Sequence, residues 1–277
     1  GPPVNSDRHD ATVNLSVDGQ RLFVYRDASA VDADISESRL TGRQWSEPKK
    51  LNGKINTGVQ ETSAAFSPDE KSIYFVSNKP GGYGGKDIYV SQLTAGGDWG
   101  PAKNLGPPVN TTMDEDAVFM HPDGKTLYFA SRGHVGMGGS DLFVSKMDAN
   151  GFWGKPQNLG YPINTKYDEN SLLVSPIGDI AFFASDRTGG YGDLDIYYFQ
   201  LPEDFRPTKT LYFDGNVFDA ITKNPLGGHF MLTDIESGKI VIVSDADKLD
   251  GSFMVALPIN KSYAIQVSFN SYLPYSL

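Results

Sequence analysis

Residues Ile55–Leu105 read INTGVQETSAAFSPDEKSIYFVSNKPGGYGGKDIYVSQLTAGGDWGPAKNL, and the rest of the chain repeats the pattern of this stretch. Three sets of landmark residues recur every 54 positions: Asn56, Asn110 and Asn164; Trp45, Trp99 and Trp153; Asp87, Asp141 and Asp195. A repeat of about fifty residues with several short apolar segments is typical of a β-propeller, in which each repeat forms one blade. We therefore predict an all-β chain that begins with a propeller.

The composition fits a globular β protein and excludes several functions. The 277 residues are enough for one large domain or two ordinary ones, and 39% of them are hydrophobic. The net charge of −10 argues against nucleic acid, because such binding depends on neutralising phosphates. Binding to an anionic membrane surface is disfavoured for the same reason. No cysteine is present, so thiol catalysis, thiolate metal sites and disulfides are excluded.

Two further features concern the limits of the chain. No apolar run approaches the roughly 20 residues of a membrane-spanning helix, so no direct membrane span is predicted. Gly1–Asn5 has the same sequence as Gly106–Asn110, so the chain begins at the joint between two repeats. We expect an excerpt of a longer protein, with further blade sequence upstream.

Four repeats are visible: Val4–Asn52, Ile55–Leu105, Val109–Leu159 and Ile163–Leu201. The predicted strands of repeat one are Thr12–Leu15, Leu22–Tyr25, Asp34–Leu40 and Trp45–Leu51. Repeat one has Arg26–Ala33 in place of the glycine-rich loop of the other repeats. No tryptophan strand follows Gln200 in repeat four. We therefore expect an incomplete ring whose last blade lacks its outer strand.

The period is lost after Leu201. We assign residues 1–203 to the propeller, 204–209 to a linker and 210–277 to a small β-sandwich. The predicted strands of the sandwich are Thr210–Phe213, Gly228–Thr233, Lys239–Ser244, Ser252–Ala256 and Tyr263–Phe269.

Two known families resemble these two parts. The repeat, from Asn56-Thr57 through Ser67-Pro68-Asp69 to Trp99-Gly100, resembles the TolB-type, WD-repeat-like propeller. The order Gly215-x-Val217-x-Asp219, followed by Asp250-Gly251-x-Phe253, resembles a carboxypeptidase regulatory-like domain of transthyretin-like fold. Together the two resemblances cover nearly the whole chain.

The phrases Thr126–His134 and Asn158–Thr165 resemble multidomain OmpA-family envelope proteins of the type IX secretion and gliding machinery. The resemblance implies a periplasmic protein associated with the outer membrane of a Gram-negative cell. It implies that a propeller face holds envelope proteins, and that peptidoglycan is bound only through a domain absent from this chain.

Four carboxylates are the candidate binding residues, because they recur at the start of the inner strand of each repeat: Asp10, Glu61, Glu115 and Glu169. We predict that they ring one mouth of the central channel. As a functional set they would bind a ligand or a cation. As a structural set each would bond backbone groups at a blade joint, and repetition in every blade favours this second role.

Other repeated residues admit the same two interpretations. Asp87, Asp141 and Asp195 follow the glycine-rich loops, where aspartate either caps a turn or binds calcium. The three tryptophans either pack the outer strands or stack on sugars. The sequence Asp245-x-Asp247-x-Leu249 resembles a calcium loop but has leucine at the third ligand position, so no metal or cofactor is predicted.

No catalytic motif is recognisable. His9, His121, His134 and His229 lie in unrelated contexts, and Arg21, Arg132 and Arg187 do not occupy the equivalent positions that a sialidase-type arginine cluster requires. We therefore predict that the chain is not an enzyme but a protein-interaction and scaffold module. The alternative is a glycan-binding or glycan-hydrolysing propeller, since paired carboxylates catalyse glycoside cleavage.

Overall fold

The computed structural model describes residues 3–29 and 32–277 of the chain. Four antiparallel sheets follow one another in sequence, and each corresponds to one repeat. Blade 1 contains β1 (Asp10–Leu15), β2 (Arg21–Ser29), β3 (Asp32–Thr41), β4 (Gln44–Trp45) and β5 (Lys49–Lys50). Blade 2 contains β6 (Glu61–Phe66), β7 (Ser72–Ser77), β8 (Asp87–Gln92) and β9 (Lys103–Asn104). Blade 3 contains β10 (Glu115–Met120), β11 (Thr126–Ser131), β12 (Asp141–Lys146) and β13 (Gln157–Asn158). Blade 4 contains β14 (Glu169–Val174), β15 (Ile180–Ser185) and β16 (Asp195–Gln200).

The blades stack face to face, as predicted for a propeller. Every residue of β11 is buried, because its alternate side chains enter the cores on both sides of blade 3. Phe129 packs in the core shared with blade 2, and Tyr128 packs in the core shared with blade 4. A strand buried on both faces must be apolar throughout, which explains why these segments show no alternation of apolar and polar residues.

An asparagine side chain joins each blade to the one before it. The Asn110 side-chain oxygen accepts from the Ile88 N–H at 2.9 Å, and its amide nitrogen donates to the Ile88 carbonyl oxygen at 2.9 Å. Asn56 makes the same pair of bonds to Ile35, and Asn164 makes it to Leu142. We call this pair of bonds the asparagine clamp. It explains why asparagine recurs in the repeat.

The outer strands are shorter than predicted. Trp45–Leu51 was expected to form one strand, but β4 and β5 are separate pairs of residues on either side of Pro48, which has no N–H to donate to a neighbouring strand. Trp99 is only 5% exposed and packs in the core between blades 1 and 2. Its burial agrees with the packing role considered for the tryptophans.

Blade 4 lacks an outer strand, as expected, but the chain that follows it is not a free linker. Glu203–Phe205 forms a 3₁₀ turn, and Phe205 packs against the core of blades 3 and 4. The Tyr128 hydroxyl donates to the Phe205 carbonyl oxygen at 2.7 Å. The turn therefore covers the core at the place where the other blades have their tryptophan segment.

The C-terminal part consists of two further antiparallel sheets. Its strands are β17 (Thr210–Asn216), β18 (His229–Asp234), β19 (Ile240–Asp245), β20 (Ser252–Pro258), β21 (Tyr263–Ser268) and β22 (Tyr275–Ser276). β17 pairs with β20, and the other sheet has the order β19-β18-β21-β22. Phe230, Leu232 and Val255 are among the buried residues of their common core. We call residues 210–277 the C-terminal unit; β22 was not predicted.

The C-terminal unit lies against hairpin turns of blades 1 and 4. Thr210 donates from its N–H and its hydroxyl to the Pro176 carbonyl oxygen of blade 4, at 2.8 and 2.7 Å. Ser244 donates to Asp18 of blade 1 at 2.5 Å. The unit thus connects the first and last blades. No helix of residues 3–29 and 32–277 is long and apolar enough to cross a membrane.

A largely buried ion-pair cluster lies beside this junction. Arg21 contacts Glu37 at 2.6 Å and Glu70 at 2.7 Å. Glu70 has a φ of 54°, at the turn position that glycine occupies in the other repeats. Burial and the neighbouring carboxylate of Asp18 together raise the pKa of Glu70 to about 7, although the guanidinium of Arg21 acts in the opposite direction. Glu70 therefore binds a proton more tightly in the folded chain than in the unfolded chain.

We predict that this carboxyl makes stability depend on pH. Because its folded pKa is raised, its contribution is fully present below the unfolded value of 4.5 and is lost as pH rises through about 7. Relative to Glu70→Gln, the wild-type free energy of unfolding should fall by at most about 3 kcal/mol across this window. Urea unfolding at a series of pH values measures the difference. Glu47→Gln, at an exposed position, is the control, and parallel pH profiles for wild type and Glu70→Gln would contradict the prediction.

A second prediction concerns Trp99. Trp99→Ala should lower the free energy of unfolding by about 3–5 kcal/mol, as large truncations of buried aromatic residues do. Phe152→Ala, which truncates a side chain that is 71% exposed, should change it by much less. Equal effects of the two substitutions in chemical denaturation would show that Trp99 does not hold the outer strand in place.

Candidate functional site

The repeated glutamates are buried inside their own blades. Glu115 is 0% exposed and accepts from the Thr111 N–H at 2.9 Å, the Thr111 hydroxyl at 2.7 Å and the Ser131 hydroxyl at 2.9 Å. Glu61 and Glu169 make the equivalent contacts. Each of the three carboxylates therefore fixes the threonine that directly follows a clamping asparagine.

Their electrostatic surroundings differ. Burial raises the pKa of Glu61 and of Glu115, although the hydrogen bonds from threonine and serine favour the charged form. Glu169 also has an ion pair with Arg187 at 3.1 Å. Asp10 takes the place of glutamate in blade 1 and pairs with Arg26 at 3.0 Å. None of the four carboxylates lines the central cavity, and their role as a ligand-binding ring stays a prediction.

The aspartates that follow the glycine-rich loops cap those loops. Asp141 accepts from the Met137 and Gly138 N–H groups at 2.9 and 3.1 Å, and Asp87 and Asp195 bind their own loops in the same way. A Cβ on Gly136 would lie 1.9 Å from the Asp141 carboxylate, so only glycine fits there. Hydrogen bonds from loop N–H groups to an aspartate are those expected of a residue that caps a turn.

The inner strands of all four blades surround a cavity of about 730 Å³. Its polar side chains come from different blades and were not among the candidates from the sequence; they include Tyr25, Thr62, Lys86, Asp116 and Asn170. At the other end of the channel, Tyr212 and Met254 of the C-terminal unit line a smaller cavity of about 200 Å³. Phe119 and Leu173 line both cavities, so the C-terminal unit closes one end of the channel.

Lys86 and Asp116 form the centre of the polar group. The Lys86 ammonium lies 2.8 Å from one oxygen of Asp116, and the Thr62 hydroxyl donates to the other oxygen at 2.8 Å. Both charged side chains keep about a quarter of their surface exposed. The pair therefore joins blades 2 and 3 but still presents donors and an acceptor to the cavity.

Two residues of the cavity wall have strained backbone. Ala117 and Ser171 have φ values of 50° and 55°, a conformation that residues with a side chain rarely adopt. Both follow a polar residue whose side chain accepts from their N–H at 2.9 Å, Asp116 and Asn170 respectively. Strain of this kind is concentrated at functional sites, so the bulged inner strands of blades 3 and 4 support a site in this cavity.

The sequence did contain a signal for these residues, but it lies in the differences between repeats. The residue after the repeated carboxylate is Ala11, Thr62, Asp116 or Asn170, according to the blade. Lys86 corresponds to Ser140 and Leu194 in the next two repeats. Residues that build each blade are constant, whereas residues that face the cavity vary. The residues that repeat in every blade therefore identify the blade framework but not the residues that face the cavity.

Comparisons with known proteins give matches among solved structures alone. No family model and no curated protein matches the chain. Among solved structures, TolB from Acinetobacter baumannii is similar, with 18% identity over 95% of this chain and a TM-score of 0.43. The chain spans about half the length of that TolB chain, 53%. A thermostable family-43 glycoside hydrolase has 13% identity, 99% and 95% coverage of the two chains and a TM-score of 0.48.

A third similar structure is an α-L-arabinanase from Penicillium chrysogenum complexed with arabinobiose. It has 12% identity, covers 92% of this chain and 96% of its own, and has a TM-score of 0.44. The prediction that the chain is not an enzyme is corrected by these matches, since two of these three structures are glycoside-cleaving enzymes. The lack of a recognisable catalytic motif in a propeller does not exclude catalysis.

The structure gives a direct test of the buried glutamates. Glu115→Gln places an amide NH₂ against hydroxyl and N–H donors, so it should lower the free energy of unfolding by about 1–3 kcal/mol. Glu236→Gln, at an exposed position of the C-terminal unit, is the control. A calcium-induced rise in the wild-type melting temperature that Glu115→Gln abolishes would contradict this structural role and support a cation site.

Proposed function

We propose that the chain is a carbohydrate-binding propeller whose ligand occupies the central cavity. The observation that carries this proposal is the set of polar residues, different in each blade, that faces a single cavity of about 730 Å³. Small-molecule sites are usually concave spaces of about 300–1,000 Å³ with mostly apolar walls and a few convergent polar groups.

The lining suits a ligand that has hydroxyl groups and apolar faces. Lys86 offers ammonium donors, and the carboxylate of Asp116 offers acceptors. Val13, Phe119 and Leu172 supply apolar wall between them. Sugars have hydroxyl groups, which could hydrogen-bond to Lys86 and Asp116. They also have C–H faces, which could pack on the apolar side chains.

The charge of the site favours a neutral ligand. Lys86 and Asp116 are 2.8 Å apart and compensate each other, so neither sign of charge dominates the cavity. An anionic ligand would have to compete with Asp116 for Lys86, and a cationic ligand would have to compete with Lys86 for Asp116. Neutral mono- and oligosaccharides are therefore the class we expect.

Titration calorimetry against a panel of neutral sugars tests this proposal, and chromogenic glycosides in a parallel assay report hydrolysis. Lys86→Met and Asp116→Asn should each weaken binding of a sugar that the wild type binds by roughly tenfold or more, the value of a hydrogen bond to a charged group. Arg132→Met removes a comparable ion pair outside the cavity, with Asp168 at 2.7 Å, and should leave binding unchanged. If no sugar binds, or if Lys86→Met and Arg132→Met weaken binding equally, the cavity is not the site.

A second candidate function is favoured by a separate observation. Tyr83, Met137 and Tyr191 stand at equivalent positions at the tips of three glycine-rich loops, and they are 55%, 50% and 104% exposed. Exposed tyrosine and methionine are enriched at protein interfaces. A protein partner on this face agrees with the resemblance to scaffold proteins of the Gram-negative envelope. The periplasmic location, the role in type IX secretion or gliding and the regulatory-like nature of the C-terminal unit belong to the same proposal.

The loop face can be tested with the intact chain. A variant with serine at these three positions should lose capture of envelope proteins from a periplasmic extract, since it removes the three exposed side chains at the loop tips. Phe152→Ser, at a residue that is 71% exposed outside the three loops, is the control. Equal capture by the triple variant and the control would exclude these loops as the interface.

A further inference from the structure

The inner strands change from polar to apolar along the central channel. We call the cavity of about 730 Å³ the upper cavity and the cavity of about 200 Å³ the lower cavity. Thr62, Asp116 and Asn170 are the second residues of their strands and line the upper cavity. Phe66 and Met120 are the last residues of β6 and β10 and line the lower cavity. The channel therefore has hydrogen-bonding groups at one end and a mostly apolar wall at the other.

Large apolar side chains keep much of their surface exposed in the lower cavity. Leu15 and Leu173 line it from the inner strands of blades 1 and 4, and they are 50% and 51% exposed. Tyr212 and Met254 line it from the C-terminal unit, and they are 55% and 37% exposed. Among the described residues that line this cavity, none carries a charge. Exposed apolar surface that converges on a concave space is typical of a binding site for an apolar group.

We infer that the ligand of the channel is a neutral sugar that carries a small apolar group, with the sugar in the upper cavity and the apolar group in the lower cavity. The inference rests on the proposed carbohydrate function and adds the second half of the ligand. Phe119 and Leu173 line both cavities, so the two halves of the ligand meet beside these side chains.

The volume of the lower cavity limits the size of the apolar group. An apolar protein cavity of about 150 Å³ holds one benzene molecule. The lower cavity of about 200 Å³ is therefore large enough for one ring or one short alkyl chain, but not for the two acyl chains of a membrane lipid. The class of ligand that we infer is a soluble alkyl or aryl glycoside.

The C-terminal unit supplies the floor of the lower cavity. β17 pairs with β20, and Tyr212 lies opposite Ala256 in their register. Tyr212, Met254 and Ala256 all line the lower cavity. Thr210, the first residue of β17, donates to the Pro176 carbonyl oxygen of blade 4 at 2.7 Å. This bond fixes the floor against the blades, so that the lower cavity can select an apolar group by its size.

Titration calorimetry with pairs of glycosides tests the inference. The probes are the methyl and n-octyl β-glycosides of glucose, galactose and mannose, used below the concentrations at which the octyl forms make micelles. Each methylene that leaves water should tighten binding by roughly three- to fourfold. The octyl form of a sugar that binds should therefore have an affinity at least about 100-fold higher than that of its methyl form.

A matched pair of variants locates the octyl group. Met254→Gln places an amide without a hydrogen-bond partner against the alkyl chain, so it should reduce the ratio of the two affinities by roughly tenfold. Binding of the methyl form should not change, which also shows that the variant is folded. Met113→Gln alters a methionine that is 52% exposed and lines neither cavity, and it should leave both affinities unchanged.

Four outcomes would overturn the inference. If the methyl and octyl forms bind equally, the apolar group has no site, and the proposed carbohydrate function stands. If neither form of any of the three sugars binds, the inference fails, and the wider sugar panel decides the proposed function separately. If 1-octanol binds as tightly as the octyl glycosides, the site is for the chain alone. If Met254→Gln and Met113→Gln reduce the ratio equally, the octyl group lies outside the lower cavity.

Discussion

The amide of an asparagine side chain determines how the blades of this propeller are joined. Asn56, Asn110 and Asn164 each accept from the N–H and donate to the carbonyl of one residue on the third strand of the preceding blade. A side-chain amide has an acceptor and a donor in one plane, so it can hydrogen-bond to the backbone of one strand residue as a neighbouring strand would. The following threonine is held by a buried glutamate, as Thr111 is by Glu115 at 2.7 Å. The order Asn-Thr…Glu is therefore one continuous joint, and the apolar blade faces depend on it for their spacing.

The residues that build each blade and the residues that face the cavity are two separate sets. The joint, the loop-capping aspartates and the buried strands need the same residue in each blade, because each blade meets the same geometry. A ligand that occupies the central cavity meets a different blade on each side. The residues that face it, such as Thr62, Asp116 and Asn170, are therefore free to differ. Residues that repeat in every blade stabilise the fold, and residues that differ between blades line the cavity in which we propose that the ligand binds.

The sequence predicted the blades, the missing outer strand of blade 4 and most strands of the C-terminal unit, because each follows from local apolar pattern and period. It did not predict that Phe205 would cover the core of blade 4, since this contact depends on how a 3₁₀ turn folds back on blade 3. It identified Glu61, Glu115 and Glu169 as the first residues of the inner strands, but not the burial of their carboxylates. Each begins its inner strand, but hydroxyl groups distant in sequence, such as Ser131 for Glu115, draw the carboxylate away from the cavity. Lys86 and Asp116 are 30 residues apart, and only the stacking of blades 2 and 3 brings them together.

Blade 4 shows how the end of the array is held without a following blade. Arg187 pairs with Glu169, donates to the carbonyl oxygens of Pro162 and Ile163 at 3.1 and 2.6 Å, and lies over the ring of Phe183. It thus ties the segment before blade 4 to the blade itself. The C-terminal unit adds a second tie, because it binds the Pro176 turn of blade 4 through Thr210 and the Asp18 turn of blade 1 through Ser244. The C-terminal unit therefore contacts blade 1 and blade 4 at the same time.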